Sequence, residues 1–165
     1  MYRQIPIIRS SSLFVATTED EKSPARIVEV YELEYQLEEG GTVEFNGKTW
    51  TTRKGDILIA KPGDRRNCTL PLCCLYMHLL NVTGEFKQLL DGIPSVVHTQ
   101  DPFYEDTFRS INQLFLSSKP SDSLIASGKL LQLVGRLSKE ASRPDGISGQ
   151  TNRIVSRAIR YITTP

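Results

Sequence analysis

Residues 31–67 read YELEYQLEEGGTVEFNGKTWTTRKGDILIAKPGDRRN, and this stretch decides the fold. Tyr31, Leu33, Tyr35 and Leu37 alternate with Glu32, Glu34 and Gln36, the period of a strand with one apolar and one polar face. Gly40-Gly41 marks a turn, and a short strand then runs to Asn46-Gly47. That dipeptide suits a two-residue hairpin, because both central residues of such a turn need positive φ. A further strand, Lys48 to Thr52, leads to a turn at Lys54-Gly55-Asp56. Ile57-Leu58-Ile59-Ala60 reads as the next strand, and Pro62-Gly63 stops it, since proline has no N–H to give to a ladder. Short strands joined by tight turns predict a small closed or nearly closed β-barrel.

Composition narrows the classes. Twenty Lys+Arg against 19 Asp+Glu leave a net charge of +1, which argues against a general basic surface for nucleic acid. Nothing approaches the eighteen consecutive apolar residues of a membrane span, and the N-terminus MYRQIPIIRSSS lacks the apolar core of a signal peptide. Three cysteines, two of them adjacent at Cys73-Cys74, make no disulfide framework and read as reduced thiols in a cytoplasmic core.

Outside the decisive stretch, residues 1–25 read as an N-terminal arm with some strand character at Leu13-Phe14-Val15-Ala16. The last strand, Cys73 to Leu80, is apolar on both faces, as expected where one face meets a cavity and the other lies under helices. From Glu85 the period changes. Phe86, Leu89 and Leu90 predict a short helix closed near Asp91-Gly92 by a glycine able to turn left-handed. His98 follows Val96-Val97 in a connection and reads as a surface or capping residue. Asp101-Pro102 is an N-cap followed by proline at the first helical position, and Tyr104, Phe108, Ile111 and Phe115 form one helical stripe. Pro120 ends that helix, and Ser121 or Asp122 can cap a second. Its stripe is Leu130, Val134, Leu137 and Ala141, widened by Leu124, Leu131 and Leu133. Arg143-Pro144-Asp145-Gly146 and the residues to Gly149 read as a linker. In the last segment Ile154, Ala158 and Ile162 share a helical face, and Arg153, Arg157 and Arg160 supply positive charge.

The strand order with Tyr31-x-Leu33, the glycine turn, Gly55-Asp56-Ile57-Leu58 and Pro62-Gly63 resembles the cupin barrel. In particular it resembles the sensor domain of AraC-type (arabinose-regulator) transcription factors. Residues 151–165 are similar to the first helix of that family's helix-turn-helix domain, which follows a linker and ends in an aromatic–Ile pair, here Tyr161-Ile162. The resemblance implies a mainly β chain with C-terminal α: a cupin (double-stranded β-helix, jelly-roll-like) barrel followed by an antiparallel helix pair. Its divisions are an arm at 1–25, an effector-binding barrel at 26–100, a dimerisation helix pair at 101–143, a linker at 144–150 and the start of the DNA-binding domain at 151–165. The expected function is the effector-sensing and dimerisation part of a cytoplasmic regulator, contacting DNA only through helix-turn-helix units beyond Pro165.

Family resemblance puts a small-molecule effector inside the barrel, and strand alternation nominates its walls. Cys74, Tyr76 and His78 share a face of the last strand, Arg66 and Cys68 follow Pro-Gly, Glu34 and Gln36 sit on the first long strand, and Arg26 stands near the family's usual basic position. These groups lean towards a sugar or an organic acid. Trp50 either packs under a turn or lines that site. Leu124, Leu130, Leu133, Val134 and Leu137 are expected at a homodimer interface, the alternative being burial within one chain.

Cupin enzymes generally hold a metal with two His one residue apart, a Glu, and a further His after Pro-Gly. Here Glu34, Tyr35 and Gln36 stand at the paired-His region, and Arg66-Asn67 after Pro-Gly, so no metal or cofactor and no catalytic residue is expected. Glu38-Glu39 point to opposite faces and read as a solvated turn. The rival readings are a metal-free cupin enzyme of sugar isomerase or epimerase type, for which only His78 and Tyr76 qualify, and a stand-alone sensor domain.

Overall fold

A computed structural model describes residues 4–143. The expected linker at 144–150 and basic helix at 151–165 lie outside the described residues. Among the described residues nine strands and three helices follow in the order β1 (Ile7–Ala16), β2 (Arg26–Ile27), β3 (Tyr31–Gln36), β4 (Thr42–Phe45), β5 (Lys48–Thr51), β6 (Asp56–Ala60), β7 (Arg65–Thr69), β8 (Leu72–Leu80), α1 (Gly84–Asp91), β9 (Val96–His98), α2 (Pro102–Ser117) and α3 (Pro120–Ala141). They make two antiparallel sheets, β1-β8-β3-β6-β9 and β2-β7-β4-β5, whose inner faces meet as a sandwich. The helices cover the outer face of the five-stranded sheet.

The turns are where the glycines require them. Asn46 and Gly47 take φ of 52° and 84°, the paired positive values of a type I′ hairpin joining β4 to β5. Gly41 has φ of 67°, and a Cβ there would lie 2.3 Å from the carbonyl oxygens of Thr69 and Pro71. Only glycine lets the β3–β4 connection pass so close to the β7–β8 turn.

Alternation on β3 sorts the molecule into two cores. Tyr31, Leu33 and Tyr35 face outward and join Leu75, Met77 and Leu79 of β8 beneath Tyr104, Phe108 and Ile111 of α2. Val28, Val43, Phe45, Leu58 and Ala60 close part of the space between the sheets. Strand β8 therefore is covered on both faces, which explains its unbroken apolar sequence.

Several expectations change. The arm is largely sheet: β1 pairs antiparallel with β8 from Ile7 to Ala16 and is an edge of the five-stranded sheet. His98 lies in a strand rather than a connection, paired opposite Asp56. Gly92 closes α1 with φ of −76°, so no left-handed turn is used there. The α2 start is as expected, with the Asp101 carboxylate accepting from the Phe103 N–H and Pro102 beginning the helix. Lys119, and neither Ser121 nor Asp122, precedes α3, and α2 ends on Ser118 in the left-handed region.

The expected dimer stripe is corrected in the same way. Leu130, Leu133, Val134 and Leu137 are fully buried within the chain, in one core cluster with residues of α2 and β8. They cannot face a second subunit while α3 is folded. Leu124 alone of that set is exposed, at 69%, with Ile125 and Leu131 also outside. Among the described residues no helix is long and apolar enough to cross a membrane.

Candidate functional site

Between the sheets lies a polar floor built by strand parity. On β3, Glu32, Glu34 and Gln36 turn inward opposite the outward Tyr31, Leu33 and Tyr35, and all three are buried. Cross-strand register sets His78, Tyr76 and Cys74 of β8 beside them: Glu32 pairs with His78, Glu34 with Tyr76 and Gln36 with Cys74. The same register adds Ser10, Ser12 and Phe14 of β1 opposite His78, Tyr76 and Cys74. From the facing sheet come Arg66 and Cys68 of β7 and Arg26 of β2, which pairs opposite Arg66.

Arg66 is the hub. Its Nη1 donates to Glu32 Oε2 at 2.9 Å and to Glu34 Oε1 at 2.7 Å, and its Nη2 reaches Glu34 Oε2 at 3.3 Å. Arg26 adds a fork to Glu32, with Nη1 to Oε1 at 2.8 Å and Nη2 to Oε2 at 2.7 Å. Burial alone would raise the Glu32 pKa, but the Arg26 hydrogen bond and the charges of Arg66, Arg26 and His78 outweigh it and hold the carboxyl below its ordinary value. Arg66 shows the converse. Burial would lower its pKa, and Glu34 first, then Glu32, carry it above the usual arginine value. Cys74 is pushed far up by burial and then by the Glu34 charge, so its thiol stays protonated and unreactive.

Access to this floor is from the β1–β8 side. Phe14 faces inward yet is 43% exposed, and the Tyr76 and His78 rings stand 5.2 Å apart, both half-buried. His78 Nε2 lies 3.9 Å from Glu32 Oε1. Gln36 is fully buried; its Nε2 reaches Glu34 Oε2 at 3.5 Å, while its Oε1 accepts no hydrogen bond from the described residues. Cys68 is set back at the rim, its backbone N–H and thiol both on Ser23 Oγ.

All eight nominated wall residues thus lie on the two facing inner surfaces, and six of them join Arg66 or its neighbours on β3 and β8. Glu32 was overlooked although it shares the parity of Glu34 and Gln36. Ser10 and Ser12 were overlooked because β1 read as an arm. Trp50 packs edge-on against Phe45 with ring centroids 6.0 Å apart and lies at the margin of the inner apolar cluster, away from the polar floor.

A second feature is an open cleft of about 500 Å³ at the end of the sandwich, lined by Tyr35, Glu39, Arg53, Lys54, His98 and Glu105 among others. There His98 Nδ1 sits 2.8 Å from buried Asp56, whose other oxygen accepts the Arg53 N–H and so closes the β5–β6 turn. Asp56 and His98 are accounted for as turn and strand anchors. Among the described residues no three His, Cys, Asp or Glu side chains gather as a metal site.

No family model matches the chain, and no curated protein matches it. Solved structures do. ToxT from Vibrio cholerae O395, bound to (E)-4-(8-methylnaphthalen-1-yl)but-3-enoic acid, is 8% identical over 94% of this chain and 66% of its own, with a TM-score of 0.55. The likeness is one of fold alone. The chain spans just under two thirds of that ToxT chain. The AraC-like transcriptional activator CuxR matches at 10% identity, over 83% of this chain and 68% of its own, with a TM-score of 0.48. The Schizosaccharomyces pombe Cnp3 cupin domain matches at 13% identity, over 50% and 62%, with a TM-score of 0.41. Neither of these two is close enough to carry an argument.

Proposed function

We propose that this chain is the effector-sensing part of an AraC-type transcription regulator and that a small molecule binds between its two sheets. The observation that carries the reading is the inward polar row of β3 and β8, charged and buried at one end and half-open at Tyr76 and His78. Burying two carboxylates and a guanidinium is costly for folding alone, and replacing such a group with apolar side chains is often neutral or stabilising. A ligand site supplies a reason to keep it. ToxT, which shares the fold over nearly the whole of this chain, was solved with a small organic molecule bound.

The site reads as non-catalytic and metal-free. Both inner carboxylates already receive arginine hydrogen bonds, so His78 has no free carboxylate beside it to complete a ligand set. Tyr76 and His78 share one face of one strand, whereas an acid–base pair acting across a sugar needs groups on opposing sides. Elemental analysis after native purification is expected to find no stoichiometric transition metal.

The test of the sensor reading is a thermal-shift and calorimetric screen of small metabolites, with hits mapped by side-chain NMR signals of Arg66 and Gln36. Hits that shift these signals support it. Hits that bind only elsewhere, or none at all, overturn it. The regulator half is tested with promoter DNA. Residues 1–165 alone are expected to bind weakly, without sequence preference and with steep salt dependence, through Arg153, Arg157 and Arg160 at most. Tight, selective binding would mean that a DNA-reading element lies within this chain.

A further inference from the structure

Resting on that reading, we infer that the inner site selects an uncharged ligand that brings a hydrogen-bond donor to Gln36, and that it rejects carboxylates and phosphates. The argument is one of charge balance. The floor holds two guanidinium groups, Arg66 and Arg26, and two carboxylates, Glu32 and Glu34. Each arginine directs two nitrogens at these carboxylates within 3.3 Å. No surplus positive charge is left over from these four groups for an anionic ligand. His78 beside them can also carry positive charge, and it already lies 3.9 Å from Glu32.

An anion entering here would face Glu32 and Glu34 with no net positive charge to balance it, or would draw Arg66 or Arg26 away from them. Either way negative charge is left buried without a partner, which costs roughly two or more powers of ten in affinity. The free valences point the other way. Gln36 Oε1 is buried and accepts nothing from the described residues, so it is an acceptor in want of a donor. Tyr76, Ser10 and Ser12, ranged along the half-open side, are neutral hydroxyls that both donate and accept. Hydroxyl and amide groups satisfy all of these without disturbing the ion pairs. The selectivity is therefore opposite to that needed for the acid bound to ToxT.

The experiment uses matched pairs of like shape that differ chiefly in the charge of one group: a methyl glycoside and its uronate, an alditol and its aldonate, an aromatic amide and its carboxylate. Calorimetry at pH 7 measures affinity, and the Arg66 Nε–H and Gln36 side-chain NMR signals report whether binding is at the inner site. The neutral member is expected to bind at least tenfold more tightly than its acid. Gln36→Met keeps the side-chain length and removes the acceptor. It should weaken the neutral ligand about tenfold while leaving the unliganded melting temperature equal or higher, because a buried unpartnered oxygen is removed. A purely structural Gln36 would behave in reverse, with a lower melting temperature and unchanged affinity, and that result would overturn the inference. An acid binding at the inner site as tightly as its neutral partner overturns it too, while leaving the sensor reading intact. If no pair perturbs the inner signals, both fall.

Discussion

At the scale of single residues, Arg66 decides the character of the interior. It sits on β7 but holds together two carboxylates of β3, 34 and 32 residues away in sequence. Removing it leaves buried negative charge without compensation, so Arg66→Met should cost about 3–5 kcal/mol in urea unfolding at pH 7. The pH dependence should also change sign. In the native chain the Glu32 pKa lies below its unfolded value of 4.5, so its contribution is present above pH 4.5 and is lost as acid carries the pH down through the lowered folded value. In Arg66→Met a negative charge is left buried without its cation, and acid should restore part of the lost stability. Denaturation midpoints measured from pH 7 down through pH 4.5 should hold level and then fall below pH 4.5 for the native chain, and should rise with acid for the variant. A variant midpoint that is flat or falls with acid would mean that solvent, not Arg66, balances Glu34.

At the scale of elements, α2 and α3 lock the outer face of the five-stranded sheet, and the Asp101 carboxylate links their ends. It caps α2 through the Phe103 N–H at 2.9 Å and also meets Arg136 of α3, whose guanidinium lies 4.2 Å from the centroid of the Phe103 ring. Asp101→Ala should cost about 1 kcal/mol from the cap, within the usual range of 0.5–2 kcal/mol. Asp101→Asn should recover most of it, because an amide oxygen still accepts from the N–H. Urea midpoints of the two variants distinguish the cap from the ion pair: equal losses would assign the effect to Arg136.

At the scale of the whole molecule, the buried leucines of α3 separate folding from association. Leu133→Asp buries a charge among Tyr104, Phe108 and Leu130 and should abolish folding, read by loss of near-ultraviolet circular dichroism. We propose that a homodimer, if the chain forms one, uses the exposed strip of Leu124, Ile125 and Leu131. Leu124→Asp should then leave the fold intact, within about 0.5 kcal/mol, and shift sedimentation equilibrium from dimer to monomer. A native chain that is monomeric at high concentration overturns the dimer proposal. A dimer unmoved by Leu124→Asp overturns its location.

What the sequence determined by itself was whatever depends on near neighbours. Period-two alternation grouped Glu34 with Gln36, and Cys74 with Tyr76 and His78, because successive side chains of a strand must point to opposite faces. Asn46-Gly47 and Asp101-Pro102 marked their turn and helix start through backbone conformations that those residues favour. Tertiary structure alone decided which face was inside, and that β1 extends the sheet rather than lying loose. It alone decided that Leu130, Leu133, Val134 and Leu137 of α3 are core, and that Arg66 is bound to Glu32 and Glu34 instead of standing ready for an acid. Those outcomes turn on contacts between residues tens of positions apart, and no local period or propensity encodes which distant face supplies the partner.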